Sequence, residues 1–195
     1  RDELSDEPIN NPARQVLTQH RAVHYSEHCQ LVHRTSKRYP IQHSAAPIRS
    51  RGGITLGAVV VFQDVSLTRK LSEQLNYQAT HDNLTGLLNR RAFETLLTKL
   101  LAQTEHHHVL CYLDLDQFKI VNDTCGHLAG DELLRQVSMK LKAHVRNSDT
   151  VARLGGDEFI ALLPNINGFS EVTNVARRLI EAVSAPYSLQ GHSFR

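Results

Sequence analysis

The residues best typed for chemistry in this chain are acidic. Asp114 and Asp116 stand two apart at the end of the apolar run "HHVLCYLDLD", and Asp157 and Glu158 follow the double glycine of "RLGGDEFIALLP". An extended strand turns residues i and i+2 to one side, so the spacing predicts Asp114 and Asp116 on one face. If the two segments pair, three or four carboxylates converge at one sheet edge, where like charges repel and raise one another's pKa. A divalent cation relieves that repulsion. Mg²⁺ takes carboxylate oxygens together with waters and substrate phosphates, and two such ions about 4 Å apart suit in-line displacement at phosphorus. Gly155 and Gly156 carry no Cβ, which lets a backbone approach a nucleotide closely.

Between the acidic segments lies "FKIVNDTCGHLAGDELL" (118–134). Guanine offers N1–H and N2–H₂ donors side by side; one carboxylate takes both, and an amide adds a further contact. Asp131 and Asn122 have those types, and Lys119 can counter phosphate charge as it builds up. Each also has a plain structural alternative. Asn122 and Asp131 are plausible helix caps, and Lys119 a solvated surface lysine.

The elements that must position these groups alternate in type. Over residues 82–195, "RRAFETLLTKLLAQ" is helical, with Phe93, Leu96, Leu97, Leu100 and Leu101 on one face. The run 107–116 reads as a central strand buried on both faces. Residues 130–145 and 171–183 have helical periodicity, "TVARL" and "EFIALLP" flank the glycines as a hairpin, and "YSLQGHSF" opens a final hairpin. Helices alternating with strands predict an α/β (α+β) domain. Upstream, Pro12 suits the start of a short helix through about Gln19. The runs 28–34, 38–50 and 54–65 read as an antiparallel meander separated by turns. From Ser66 a helix is predicted, with Leu67, Leu71 and Leu75 four apart. Two readings are open for it: packing on its own domain, or a two-chain coiled coil joining an input domain to an output domain.

The composition narrows the classes. The chain has 195 residues, 41% hydrophobic and 22% charged, with a formal net charge of +2. That supports one or two globular domains, and nucleic acid is not an expected partner. No run of 18 apolar residues occurs, so no membrane contact is expected from this segment. Cys29, Cys111 and Cys125 show no CxxC spacing, which favours a reducing cytoplasm over a disulfide framework or zinc knuckle. The "EHHH" run (105–108) meets no metal template and reads as a solvated loop. Arg1 is not a natural start, so an upstream segment, including a membrane tether, is left open.

The blocks "DNLTGLLNRRAF" (82–93), "DLDQFKIVNDTCGHLAGDELL" (114–134) and "RLGGDEF" (153–159) resemble the three signature motifs of the GGDEF family, the diguanylate cyclases. The resemblance runs from about Thr80 to Arg195. It implies a fold like the palm of nucleotidyl cyclases and polymerases, with a central antiparallel sheet flanked by helices, and condensation of two GTP into cyclic di-GMP. It further implies Mg²⁺ or Mn²⁺, two ions per site, held by Asp114, the Leu115 carbonyl, Asp157 and Glu158. Asp157 matches the position often assigned as general base. Asn122, His127 and Asp131 match substrate-contacting positions, and Phe118 and Lys119 match positions lining the triphosphate. Cys125 takes a place often held by tyrosine. "RNSD" (146–149) fits the family's inhibitory RxxD, so Arg146 and Asp149, with Arg177 as a secondary member, are the implied product site.

Since one half-site binds one GTP, the resemblance implies a homodimer with catalysis across a two-fold axis. The alternative is a catalytically silent receptor that only binds cyclic di-GMP or GTP. Residues 39–66 resemble the closing strands of a PAS sensor domain. The expected organisation is therefore a partial PAS-like domain over 1–65, a signalling helix over 66–80 and the cyclase domain over 81–195. The resemblance also implies further strands and phosphate-binding basic residues past Arg195.

Overall fold

The computed structural model describes residues 1–25, 28–102, 107–166, 168–189 and 192–194. The chain divides into two compact units, Arg1–Leu75 and Asn76–Arg195.

The first unit opens with helix α1 (Pro12–Gln19). The Asn11 side chain caps it by accepting from Ala13 N and Arg14 N, Pro12 fills its first turn, and left-handed His20 ends it. Strand β1 (Val23–Tyr25), which the sequence did not suggest, and β2 (Gln30–Val32) lie antiparallel along successive stretches of β3 (Arg38–Arg49). Strand β4 (Thr55–Asp64) pairs antiparallel with β3, with a register shift between Ile48 and Arg49. The predicted meander is thus present. Val16, Ile41, Ala45 and Val65 form its small interior. Helix α2 (Ser66–Thr80) follows and contains no buried residue; Leu67, Leu71 and Leu75 are all at least half exposed. Packing of this seam within its own domain is therefore not observed.

The second unit is built on a sheet of β5 (Leu88–Asn89), β6 (Val109–Asp114), β7 (Thr150–Gly155) and β8 (Glu158–Leu163), in the order β5-β7-β8-β6. The pairs β6–β8 and β7–β8 are antiparallel, whereas β5 lies parallel to β7. Helix α3 (Arg90–Leu101) covers one face, where Phe93 packs with Ala152, Ile160 and Leu162. Helices α4 (Phe118–Cys125), α5 (His127–Ala143) and α6 (Phe169–Val183) come between and after these strands. Leu134, Val137 and Leu141 of α5 and Leu179 of α6 share the other cluster with Phe159, Ala161 and Leu163. The hairpin β9 (Tyr187–Leu189) and β10 (His192–Phe194) closes the chain. Among the described residues no helix is long and apolar enough to cross a membrane.

Two expectations change. The strand expected at the centre, 107–116, runs only from Val109 to Asp114 at an end of the sheet, and its residues alternate between half-buried and exposed. The strand buried on both faces is β8, whose Phe159–Leu163 are all buried. An apolar run reads the same whether one face or both are covered, and does not tell how many neighbours the strand has. Because β6 stops at Asp114, the two-residue alternation does not carry to Asp116, which lies in the following turn. Of the "EHHH" run, Glu105 and His106 lie outside the described residues; the His107 carbonyl accepts from Ile166 N at 2.9 Å.

Candidate functional site

The β7–β8 hairpin and the end of β6 gather the acids. Register places Asp114 directly opposite Glu158, and cross-strand partners project to the same face. The turn between β7 and β8 has Gly155 at φ 147° and Gly156 at φ 53°, values that side-chain-bearing residues rarely adopt. The space in front of both glycines is open, as the approach of a nucleotide requires. Partial desolvation, then the carboxylates of Asp157, Glu158 and Asp116, push the Asp114 carboxyl above its ordinary range. The side chains do not form a preformed cluster of three metal ligands among the described residues. The donor chemistry nevertheless suits a hard divalent cation, because all the groups are oxygens and their mutual repulsion already favours neutralisation.

Two guanidinium groups hold this turn. Arg153 donates through Nε and Nη2 to the Gly156 carbonyl at 2.9 and 2.7 Å, and through Nη1 to Asp82 Oδ1 at 2.9 Å. Arg90 donates through Nε to the Leu154 carbonyl at 3.2 Å and through Nη2 to Glu158 Oε2 at 3.4 Å. Glu158 also neighbours Tyr112, whose hydroxyl donates to the carboxylate, and this pushes the phenol above its ordinary range. The sequence reading missed Asp82, Arg90, Tyr112 and Arg153. Arg153 opens the quoted "RLGGDEF" block, and Asp82 and Arg90 fall inside "DNLTGLLNRRAF", so the signal was present without an assigned role.

The remaining candidate residues lie on α4 and α5. Gln117 adopts a left-handed conformation at φ 62° and reverses the chain between Asp114 and Phe118. The Leu115 carbonyl accepts from Phe118 N at 3.2 Å; a carbonyl oxygen has a second lone pair, so this leaves one for a cation. Neither Asn122 nor Asp131 is a helix cap. Asn122 lies within α4 and Asp131 within α5. Gly126, at φ 80°, caps α4 and starts α5. The two helices cross so closely that the Asn122 side chain fills the space of a Cβ on Gly130, beside Asp131 in sequence. Lys119 and His127 are exposed, and Phe118 and Asp131 are half-buried. Gly130 was also missed, although a glycine inside an amphipathic helix signals close packing.

The segment 146–149 lies apart from the acidic edge. Arg146 N donates to Asp149 Oδ2 at 2.9 Å, and Arg146 Nη1 donates to Glu171 Oε1 at 2.6 Å. Both residues line a cavity of about 360 Å³ with His81, Leu87, Lys142 and Thr150. Arg177 is not among its lining residues; it borders a different surface depression with Phe169 and Ile180.

A sequence model described as "Diguanylate cyclase, GGDEF domain" matches residues 79–195. The chain belongs to the GGDEF-domain family. The chain is 44% identical, over 160 residues, to the probable diguanylate cyclase DgcE of Escherichia coli; the match covers 80% of this chain and 14% of DgcE. The diguanylate cyclase TpbB of Pseudomonas aeruginosa is 39% identical over 122 residues, 61% of this chain and 28% of TpbB. The chain is also 37% identical over 144 residues to the cyclic di-GMP phosphodiesterase PdeB of Shewanella oneidensis, covering 74% of this chain and 17% of PdeB. The matched stretches thus span less than a third of each of these three relatives. Among solved structures, the coiled coil and GGDEF domain of DgcB from Caulobacter crescentus, in complex with c-di-GMP, superposes with a TM-score of 0.60 at 32% identity, covering 65% of this chain and 68% of that one.

Proposed function

We propose that the GGDEF domain of this chain is a diguanylate cyclase, condensing two GTP into cyclic di-GMP with release of two pyrophosphates. Each ribose 3′-hydroxyl forms a bond to the α-phosphorus of the other nucleotide, and each bond from α-phosphorus to pyrophosphate breaks. The observation that carries this reading is Asp114 facing Glu158 across β6 and β8, with Asp157 in the adjoining turn. Asp114, the Leu115 carbonyl, Asp157 and Glu158 would hold Mg²⁺ or Mn²⁺, two ions per site. Such ions, when bound, neutralise phosphate charge and polarise the reacting phosphorus.

The chain's own groups do the rest. Asp131 and Asn122 read guanine, with His127 as a further substrate contact. The backbone at Gly155 and Gly156 lies against the nucleotide, and Phe118 flanks the triphosphate. Lys119 opposes the charge that grows on the phosphates, and Asp157 receives the hydroxyl proton. One chain supplies half of the reaction, so two copies face each other as a homodimer, and the exposed leucines of α2 supply the contact between them. The first unit, in the same reading, is the closing part of a PAS-like sensor, and the chain works in the cytoplasm. Cyclic di-GMP bound at Arg146 and Asp149, with Arg177 as a secondary contributor, inhibits the reaction.

The test is chromatography of the products after purified chain, cleared of bound cyclic di-GMP, is incubated with GTP and Mg²⁺. The expected result is one cyclic di-GMP and two pyrophosphates per two GTP consumed, abolished in Asp157→Ala. The similarity to a relative named as a phosphodiesterase motivates a second reading, a silent receptor; cyclic di-GMP binding without GTP consumption would select it.

A further inference from the structure

We propose that Asp82 and Arg90, at the two ends of the loop 82–90, are positioning residues for the turn 155–158, Asp82 acting through Arg153 and Arg90 acting directly. This rests on the turn being the nucleotide and cation site.

The turn has reason to move. Two consecutive glycines give it the largest backbone freedom a chain can have, and nothing lies within 4 Å of a Cβ built on either. The carboxylates it carries face Asp114, and their repulsion drives the turn away from β6. Each arginine opposes that motion from a different side. Arg153 grips the turn itself at the Gly156 carbonyl with two donors. Arg90 bridges the strand before the turn and the acid after it, through the Leu154 carbonyl and Glu158.

Both anchors belong to one well-tied loop. Asp82 accepts from Thr85 N at 2.9 Å and Thr85 Oγ1 at 2.6 Å, and its own N–H donates to the Leu87 carbonyl at 2.8 Å. The Arg153 side chain is only 11% exposed and Asp82 25%, so solvent screens this pair weakly. Arg90 is the first residue of α3, whose N-terminus is capped by Asn89 accepting from Ala92 N at 2.9 Å. Asn89 also donates from Nδ2 to the Ala79 carbonyl at 3.0 Å. The loop is therefore fixed at both ends before it reaches the turn. Arg90 leaves Glu158 partly neutralised, so the remaining negative charge concentrates on Asp114 and Asp157.

The experiment measures the ¹⁵N order parameters of the Gly156 and Asp157 amides in the nucleotide-free chain, with Mn²⁺ affinity and the GTP rate constants alongside. In Asp82→Asn and Arg90→Ala those order parameters fall from the rigid range of about 0.85 toward the flexible range below about 0.6. Mn²⁺ affinity falls and kcat drops, while KM for GTP changes little because Asn122 and Asp131 are untouched. Arg90→Lys keeps the charge but loses the fork, and falls between Arg90→Ala and wild type. Arg153→Lys keeps a donor for the Gly156 carbonyl and Asp82, and loosens the turn less than Arg153→Ala. Unchanged order parameters at Gly156 and Asp157 in both Asp82→Asn and Arg90→Ala, with only a lower melting temperature, would overturn the proposal. So would an Arg153→Lys chain as mobile at the turn as Arg153→Ala. The relaxation measurement decides the positioning role whether or not cyclic di-GMP forms; product formation by the wild type decides the cyclase reading separately.

Discussion

The side chain of Asn122 occupies the volume that a Cβ on residue 130 would need, so α4 and α5 cross on a glycine. Phe118 Cζ stands 3.3 Å from the same point, which closes the other way out. The residue assigned to read the base is thus positioned by an absence of side chain on the neighbouring helix.

Gly130→Ala tests this. Alanine gains about 1 kcal/mol of helix propensity against an overpacking cost of about 1–3 kcal/mol, so chemical denaturation shows a modest net loss of stability. The nucleotide moves further. With Asn122 displaced, calorimetry gives a GTP affinity about tenfold weaker, the equivalent of about 1.4 kcal/mol. Unchanged GTP affinity would show that Asn122 does not contact the base.

Asp114→Asn separates folding from cation binding. Neighbouring carboxylates and desolvation raise the Asp114 carboxyl, so the charged form is a cost to the cation-free chain. The asparagine variant is expected to melt at or above the wild-type temperature in EDTA, yet to lose the Mn²⁺ binding seen by calorimetry and all product formation. A lower melting temperature in EDTA would mean that the Asp114 carboxylate has a stabilising partner.

Acid titration reads the Asp82 pair. Burial works against the Asp82 charge, but hydrogen bonds from Thr85 and Arg153 outweigh it and hold the carboxyl below its ordinary 3.8. A depressed folded-state pKa gives stability that is complete above the unfolded value and is lost as pH falls through the folded value. The wild-type melting temperature should therefore drop more steeply below about pH 4 than that of Asp82→Asn. Parallel curves would contradict it.

Leu71→Glu addresses association. No residue of α2 is buried, and Leu71 is 50% exposed, so the substitution should leave circular dichroism unchanged and stability within about 0.5 kcal/mol. For the proposed homodimer, sedimentation velocity should show a shift to monomer, with cyclic di-GMP formation lost in parallel. A dimer that persists would move the contact elsewhere.

Local signals were legible where they were strong. Pro12 marked the start of α1, and the β7–β8 hairpin followed from two glycines between apolar runs. The helix α4 was not foreseen. It is eight residues long, and Gln117 precedes it without a side-chain cap bond, so neither periodicity nor a cap residue announces it. Treating Asn122 and Asp131 as caps had the same origin, since without α4 the segment 118–129 reads as loop. The position of β6 at a sheet end was hidden for another reason. Val109, Cys111 and Leu113 face the core while Leu110 and Tyr112 are exposed, and an apolar exposed face looks like a buried one in sequence. Of the site, the acids and the glycines stood out by type. Arg153 and Asp82, 71 positions apart, meet only because β5 lies parallel to β7.

The single left-handed torsion of Gln117 turns the chain between Asp114 at the end of β6 and Phe118 at the start of α4, so that angle sets the heading with which α4 departs from the sheet. Glycine at 117 would let that heading wander, whereas valine or isoleucine, whose branched carbons reject positive φ, would force a different one. The direction of a whole helix thereby hangs on one backbone bond.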